Sequence, residues 1–213
     1  MVNKKSQDSA RNLIPQSPNL TSLREAAADC RACDLWENAT QTVFGEGARR
    51  AKILFIGEQP GNEEDLKGKP FVGPAGKLFD QALEEAGIDR RQTYVTNVVK
   101  HFKWEPRGKR RIHKKPNTTE IQACRPWLEA EIAAVKPRII VCLGATAAQT
   151  LLGKEFRVSR QRGQPVPSSL APLVMATVHP SSILRAADEQ SRRSEMQLFI
   201  DDLKLVTDAL VEQ

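Results

Sequence analysis

Four short β-favouring runs are spaced along the chain, and each ends in a break. Ile53–Ile56 stops at Gly57-Glu58-Gln59-Pro60-Gly61, Thr93–Thr96 at Asn97, Arg138–Leu143 at Gly144-Ala145, and Leu173–Val178 at His179-Pro180-Ser181-Ser182. Short runs with few polar interruptions predict buried strands, and the Gly and Pro that follow force the chain into loops. Between the runs, apolar residues recur at helical spacing over Leu20–Ala28, Lys77–Ala86, Thr118 to about Val135, Ala145–Leu152 and roughly Ser194–Val211. The last of these sets Leu198 and Leu205 on one face and acids and lysines on the other. Thr118 is the expected N-cap of the third helix, with Glu120 in its first turn, and Lys136-Pro137 ends it.

Strands alternating with helices predict an α/β fold, a three-layer αβα domain around a central, mainly parallel four-stranded sheet. Residues 1–19 are polar and carry Pro15 and Pro18, so a disordered or loosely attached tail is expected there. Residues 20–213 then form a single domain, long enough for a full hydrophobic core. The stretch from after Cys33 to Arg50 is expected to be irregular, and residues 100–117 to form a basic loop closed by Pro116.

In open parallel sheets, ligands bind beyond the carboxyl ends of the strands. Glu58, Gln59, Asn97 and His179 are therefore expected to converge at one sheet edge. A second Gly/Pro-rich loop, Pro70-Phe71-Val72-Gly73-Pro74-Ala75-Gly76, sets Phe71 beside them. Taken singly, each residue has an ordinary structural explanation: a solvated Glu, a turn-forming Asn, a His bonded to its own loop, a core Phe. The Gly61…Gly68-Lys69 stretch is not a phosphate loop, since six residues separate the glycines where four are needed and Pro70 stands in place of Ser/Thr.

Charge sharpens this picture. The chain carries a net +6, yet the window Lys100–Lys115 holds eight Lys/Arg against one acid, so the remainder sums to −1. One segment supplies the whole excess, which favours a phosphate-binding surface over a merely solvated loop. No apolar run approaches the roughly 18 residues of a membrane span, and the N-terminus has no apolar core of a secretory signal. A cytoplasmic protein without membrane contact is expected. The four cysteines, Cys30, Cys33, Cys124 and Cys142, then point to metal or cluster binding rather than disulfides.

Taken together, Gly57-Glu-Gln-Pro-Gly61, Pro70-Phe-Val-Gly-Pro-Ala-Gly76, Thr96-Asn-Val-Val-Lys100 and His179-Pro-Ser-Ser182 resemble, in order, the motifs of the iron–sulfur (family 4-like) uracil-DNA glycosylases. Those enzymes usually carry Ala where Gln59 stands, and they lack the basic insertion ending Lys109-Arg-Arg-Ile-His113. Both departures resemble the X-type branch, the uracil-DNA-crosslinking proteins of mycobacteria and related bacteria. The resemblance runs from about residue 30 to the C-terminus.

The resemblance implies that uracil is drawn from the base stack into a snug pocket. Gly57 and Gly61 would shape that pocket, Phe71 would stack on the base and Asn97 would read its O4/N3 edge. His179 would donate to O2 as negative charge develops there. Glu58, beside Gln59, would support the cationic sugar or activate a nucleophile. In ordinary members that nucleophile is water; in the X-type branch it is implied to be His113, leaving a covalent adduct at C1′. Arg107, Lys109, Arg110 and Arg111, with Ser181 and Ser182, would hold the DNA backbone. The partner is uracil-containing DNA, single strands included, and the protein is expected to act as a monomer.

A [4Fe–4S] cofactor is implied as well. Cys30, Cys33 and Cys124 would be three of its ligands. Where family 4-like enzymes continue TNxxKC, this chain has His101, which is the expected fourth; Cys142, inside the apolar run Ile139–Leu143, is the competing candidate. A Cys3His zinc site remains an alternative. Two other functions stay open: a turnover glycosylase that uses water, and a non-catalytic nucleic-acid-binding module.

Overall fold

The computed structural model describes residues 9–211. In chain order the strands are β1 (Glu46–Gly47), β2 (Ile53–Gly57), β3 (Thr93–Asn97), β4 (Trp104–Arg107), β5 (Arg110–His113), β6 (Ile139–Leu143) and β7 (Leu173–Thr177). The helices are α1 (Leu20–Ala27), α2 (Asn62–Lys67), α3 (Pro74–Glu85), α4 (Thr118–Val135), α5 (Ala145–Leu152), α6 (Val158–Gln161), α7 (Pro180–Leu184) and α8 (Glu189–Val211).

The central sheet runs β1-β3-β2-β6-β7. The four expected strands are all present and mutually parallel. A fifth, the two-residue β1, lies antiparallel on the outer edge of β3. Every residue of β2, β3 and β6 is buried, as strands covered on both faces must be. One core joins α1, α4 and α5 to one face through Leu54, Ile56, Tyr94, Trp127 and Ile140. The other joins α3, α7 and α8 to the opposite face through Phe55, Phe79, Val95, Val141 and Phe199.

The connection after β2 crosses one face through α3, and that after β6 crosses the opposite face through α5. β2 and β6 are neighbours, so the winding reverses between them and leaves a crevice at their carboxyl ends.

Four local expectations are corrected. The basic stretch is not an irregular loop but a hairpin, β4–β5, forming a sheet of its own. Gly108, at φ +59, is the first of its two turn residues, as a tight hairpin turn requires. The N-cap of α4 is Asn117 rather than Thr118: its Oδ1 accepts from Glu120 N at 2.9 Å, and Glu120 Oε2 accepts from Asn117 N at 2.7 Å. A short helix, α2, occupies the polar sequence after Gly61. Of the expected loose tail, residues 1–8 lie outside the described residues. Residues 10–13 form a 3-10 turn against α4, and Ala10 is fully buried there.

Candidate functional site

A cavity of about 850 Å³ opens at the carboxyl ends of the parallel strands. Glu58, Gln59, Gly61, Phe71, Asn97, His113, His179, Ser181 and Ser182 all line it. The expected convergence therefore occurs, and the basic stretch adds His113 to it.

The floor is made by two glycine contacts. A Cβ on Gly57 would stand 2.4 Å from Asn97 Oδ1 and 2.9 Å from the Phe71 ring, so only glycine lets those two groups close over the strand end. A Cβ on Gly76 would meet the Phe71 carbonyl at 1.8 Å. That close approach lets Phe71 adopt its left-handed φ of 57°, a conformation non-glycine residues seldom take. The Phe71 ring rests on Phe79 at 5.3 Å and lies 6.0 Å from the His179 ring. Asn97 is buried, and among the described residues its carboxamide has no protein hydrogen-bond partner. Glu64 joins the two Gly/Pro loops: its carboxylate accepts from Gly61 N at 3.1 Å and from Gly73 N at 2.7 Å.

His179 follows β7, and its tautomer can be deduced. Nδ1 accepts from Ser181 N at 3.1 Å, so the ring proton sits on Nε2. Burial, with help from Arg185 and His113, lowers its pKa to about 4. The ring is thus neutral at pH 7 and offers one N–H.

Glu58 and His113 meet across the mouth. His113 Nε2 lies 3.3 Å from Glu58 Oε1. Thr146, at the start of α5, donates its hydroxyl to Glu58 Oε2 across the crevice between β2 and β6. Desolvation lowers the His113 pKa below its ordinary value; Glu58 opposes the shift and Arg185 adds to it. The side chain is half exposed, in a position to meet a large ligand.

The hairpin that carries His113 is clasped at two points. Gln59 Nε2 donates to Lys103 O at 3.2 Å and to Lys114 O at 3.0 Å, and its Oε1 accepts from Lys103 N at 3.1 Å. Gln59, expected among the catalytic groups, thus has its carboxamide committed to the hairpin base. Arg111, expected to hold the DNA backbone, is bonded within the protein. It donates to Asp65 Oδ2 at 2.6 Å and to Asn62 Oδ1 at 2.7 Å, and its guanidinium packs on the Phe102 and Trp104 rings. Arg107, Lys109 and Arg110 are exposed, and Lys109 and Arg110 edge a second, shallow groove with Leu66 and Ile112.

These geometries coincide with what sequence comparison finds. The profile of the Uracil DNA glycosylase superfamily matches residues 44–204, a span that includes every wall of the cavity. The chain belongs to this superfamily. The Type-4 uracil-DNA glycosylase of Thermotoga maritima is 41% identical over 170 residues, covering 79% of this chain and 85% of that protein. The Type-4 uracil-DNA glycosylase of Sulfurisphaera tokodaii is 37% identical, covering 78% and 76%. That of Archaeoglobus fulgidus is 42% identical, covering 63% and 66%.

The donor set on the α4 side is consistent with the [4Fe–4S] cofactor expected from the sequence. Cys30, Cys33 and Cys124 are buried on the α4 side, and burial raises the Cys124 pKa to about 12, with Cys33 and Cys30 adding to the shift. Two N–H groups point at sulfur, Trp127 Nε1 to Cys30 at 3.2 Å and Lys100 N to Cys124 at 3.3 Å. Such donors favour thiolates over neutral thiols. The donor set therefore fits a thiolate-bound cluster. Among the described residues, no His, Cys, Asp and Glu group is compact enough to hold a single metal ion. His101 is buried one residue beyond Lys100, with Nε2 2.9 Å from Thr42 Oγ1. Cys142 is fully buried in β6, and burial alone raises its thiol to about 12, the mark of an inert core cysteine.

Sequence reasoning missed Thr146, Glu64 and Asp65. Each acts on a group far away in the chain, and no local pattern marks them. No helix among the described residues is long and apolar enough to cross a membrane.

Proposed function

We propose that this protein excises uracil from DNA and remains attached to the resulting abasic site through His113. The observation that carries this reading is His113, set 3.3 Å from Glu58 at the mouth of a base-sized pocket by a doubly clasped hairpin. The activity named for its Type-4 relatives supports the first half.

In this reading uracil enters the cavity and stacks on the Phe71 ring, with its edge at Asn97. Asn97 pairs with its O4/N3 edge, since its carboxamide needs an acceptor and a donor that cytosine presents in the wrong order. As the N-glycosidic bond breaks, its electron pair leaves with uracil and the sugar becomes oxocarbenium-like. The His179 Nε2–H donates to O2 and holds the anion. Glu58, oriented by Thr146, sits beneath the cationic sugar. The neutral His113 imidazole gives its lone pair to C1′, and the imidazolium so formed passes its remaining N–H proton to Glu58. Arg107, Lys109 and Arg110 meet the phosphates, alongside Ser181 and Ser182. Cys30, Cys33, Cys124 and His101 hold the [4Fe–4S] cluster, whose part is to tie the N-terminal segment to the base of the hairpin.

The test is a denaturing gel after mixing the protein with a labelled single-stranded oligonucleotide holding one uracil. A band that survives heat and detergent, and that requires uracil, is the expected result. Alkali-labile DNA with no band would assign the protein to water-using turnover. Neither product would leave a binding module.

The anchoring role of Arg111 makes a separate prediction. Removing one partner of a buried ion pair costs about 3–5 kcal/mol, here felt by the hairpin. Arg111→Ala should slow adduct formation yet leave the salt dependence of DNA binding unchanged. Lys109→Ala should lower the slope of log affinity against log salt by about 0.7–0.9. A slope lost equally in Arg111→Ala would return that residue to the phosphates.

A further inference from the structure

Behind Asn97, on the α4 face of the sheet, lies a charged pair that the chemistry above does not use. Lys100 and Glu131 have side chains 1% and 0% exposed. All three ammonium protons of Lys100 have acceptors: Thr96 Oγ1 at 2.6 Å, the Asn97 backbone carbonyl at 2.7 Å, and Glu131 Oε2. The Glu131 carboxylate is equally full, accepting from Gly45 N at 3.0 Å, Tyr94 OH at 2.9 Å and Thr96 Oγ1 as well. The Lys100 ammonium also faces the Phe44 ring at 5.6 Å.

A satisfied buried ion pair is weak evidence for stability, because an apolar pair of similar volume often does as well. Its worth lies in what it holds in place. Side chains alternate across β3, so Tyr94 and Thr96 face α4 while Val95 joins the opposite core. Asn97 is the last residue of β3, its amide side chain is unpartnered within the protein, and its own carbonyl is gripped by Lys100. The next two peptides then bond to the end of β2 and the loop that follows it: Val98 N to Gly57 O at 2.9 Å and Val99 N to Glu58 O at 3.0 Å.

We infer that Lys100 and Glu131 are positioning residues for uracil selectivity: gripping the Asn97 carbonyl from behind fixes the angle at which its carboxamide meets the base edge. This rests on the reading of Asn97 given above. A carboxamide free to tilt still forms one hydrogen bond with uracil but no longer forces a mismatch on cytosine. Selectivity built on hydrogen bonds is lost when the bonding groups are loosened.

The experiment measures excision of uracil and of cytosine from otherwise identical single-stranded oligonucleotides, for four proteins in their cluster-loaded form. These are the unaltered protein, Asn97→Asp, the double variant Lys100→Met/Glu131→Leu, and Glu131→Gln. Thermal melting and the cluster's visible absorption check that each is folded. The double variant should keep its cluster and melt within a few degrees of the parent, while its uracil-to-cytosine ratio falls by about tenfold or more. Its single-turnover rate of uracil release at saturating DNA should fall, with little change in the DNA concentration that gives half that rate. Glu131→Gln keeps the shape of the site, so it serves if the double variant does not fold, and it should shift the ratio in the same direction. A folded double variant, or a folded Glu131→Gln, with the parent's ratio overturns the inference. An Asn97→Asp protein with the parent's ratio would instead overturn the reading of Asn97 itself.

Discussion

His113→Ala should form no heat-stable adduct with uracil-containing DNA, while still releasing free uracil. The two outcomes separate because the groups proposed to break the glycosidic bond, Glu58 and His179, stand on the loops after β2 and β7, whereas His113 arrives on the hairpin. Water fills the space left by the imidazole, and Glu58 remains beside it with Thr146 still donating to its other oxygen. The measurement is a paired assay on one sample, with adduct read on a denaturing gel and uracil by chromatography. An undiminished band in His113→Ala would place the covalent bond elsewhere. The pH profile adds a second constraint. An imidazole attacks only when neutral, and desolvation holds the His113 pKa below its ordinary value of 6.5. Adduct formation should therefore stay level as pH falls through 6.5 and decline only below that. A decline centred above 6.5 would contradict the depressed pKa.

His179→Ala should lower uracil release and adduct formation together. The ring is neutral because burial holds its pKa at about 4, and the Ser181 N–H fixes its one proton on Nε2. A preoriented neutral donor at a developing anion contributes about 10²–10³-fold in rate, and bond cleavage precedes either fate of the sugar. Both products should fall by the same factor, which is what distinguishes this variant from His113→Ala. Single-turnover rates with the same oligonucleotide check it. A fall in adduct with undiminished uracil release would place His179 in the capture step instead.

The parts of this architecture that could be read from the sequence are those governed by local pattern. Continuous apolar runs such as Ile139–Leu143, short and rich in β-branched residues, read as strands covered on both sides, and the breaks after them locate the pocket edge. The hairpin escaped because its sequence, Trp104–His113, has no apolar alternation; it is held by Arg111 on Asp65 and by Gln59 across 44 to 55 residues of chain. The same distance hid Thr146, 88 residues from Glu58. The motif resemblance supplied His113, and the fold supplied the reason it can reach Glu58. Charge counting did not reveal the Arg111–Asp65 pair, since a guanidinium in a basic run looks identical whether it faces phosphate or a buried carboxylate.

The hairpin makes no ladder with the parallel sheet, and it leaves and rejoins the main fold between the end of β3 and the start of α4. Its ten residues meet the scaffold through side-chain clasps, so they form a unit able to open while the sheet stays closed. His113, which the hairpin carries, is in this sense an accessory to the groups borne by the sheet. Gln59 and Arg111 are the fittings that hold it there, and both hydrophobic cores close without any residue of the hairpin.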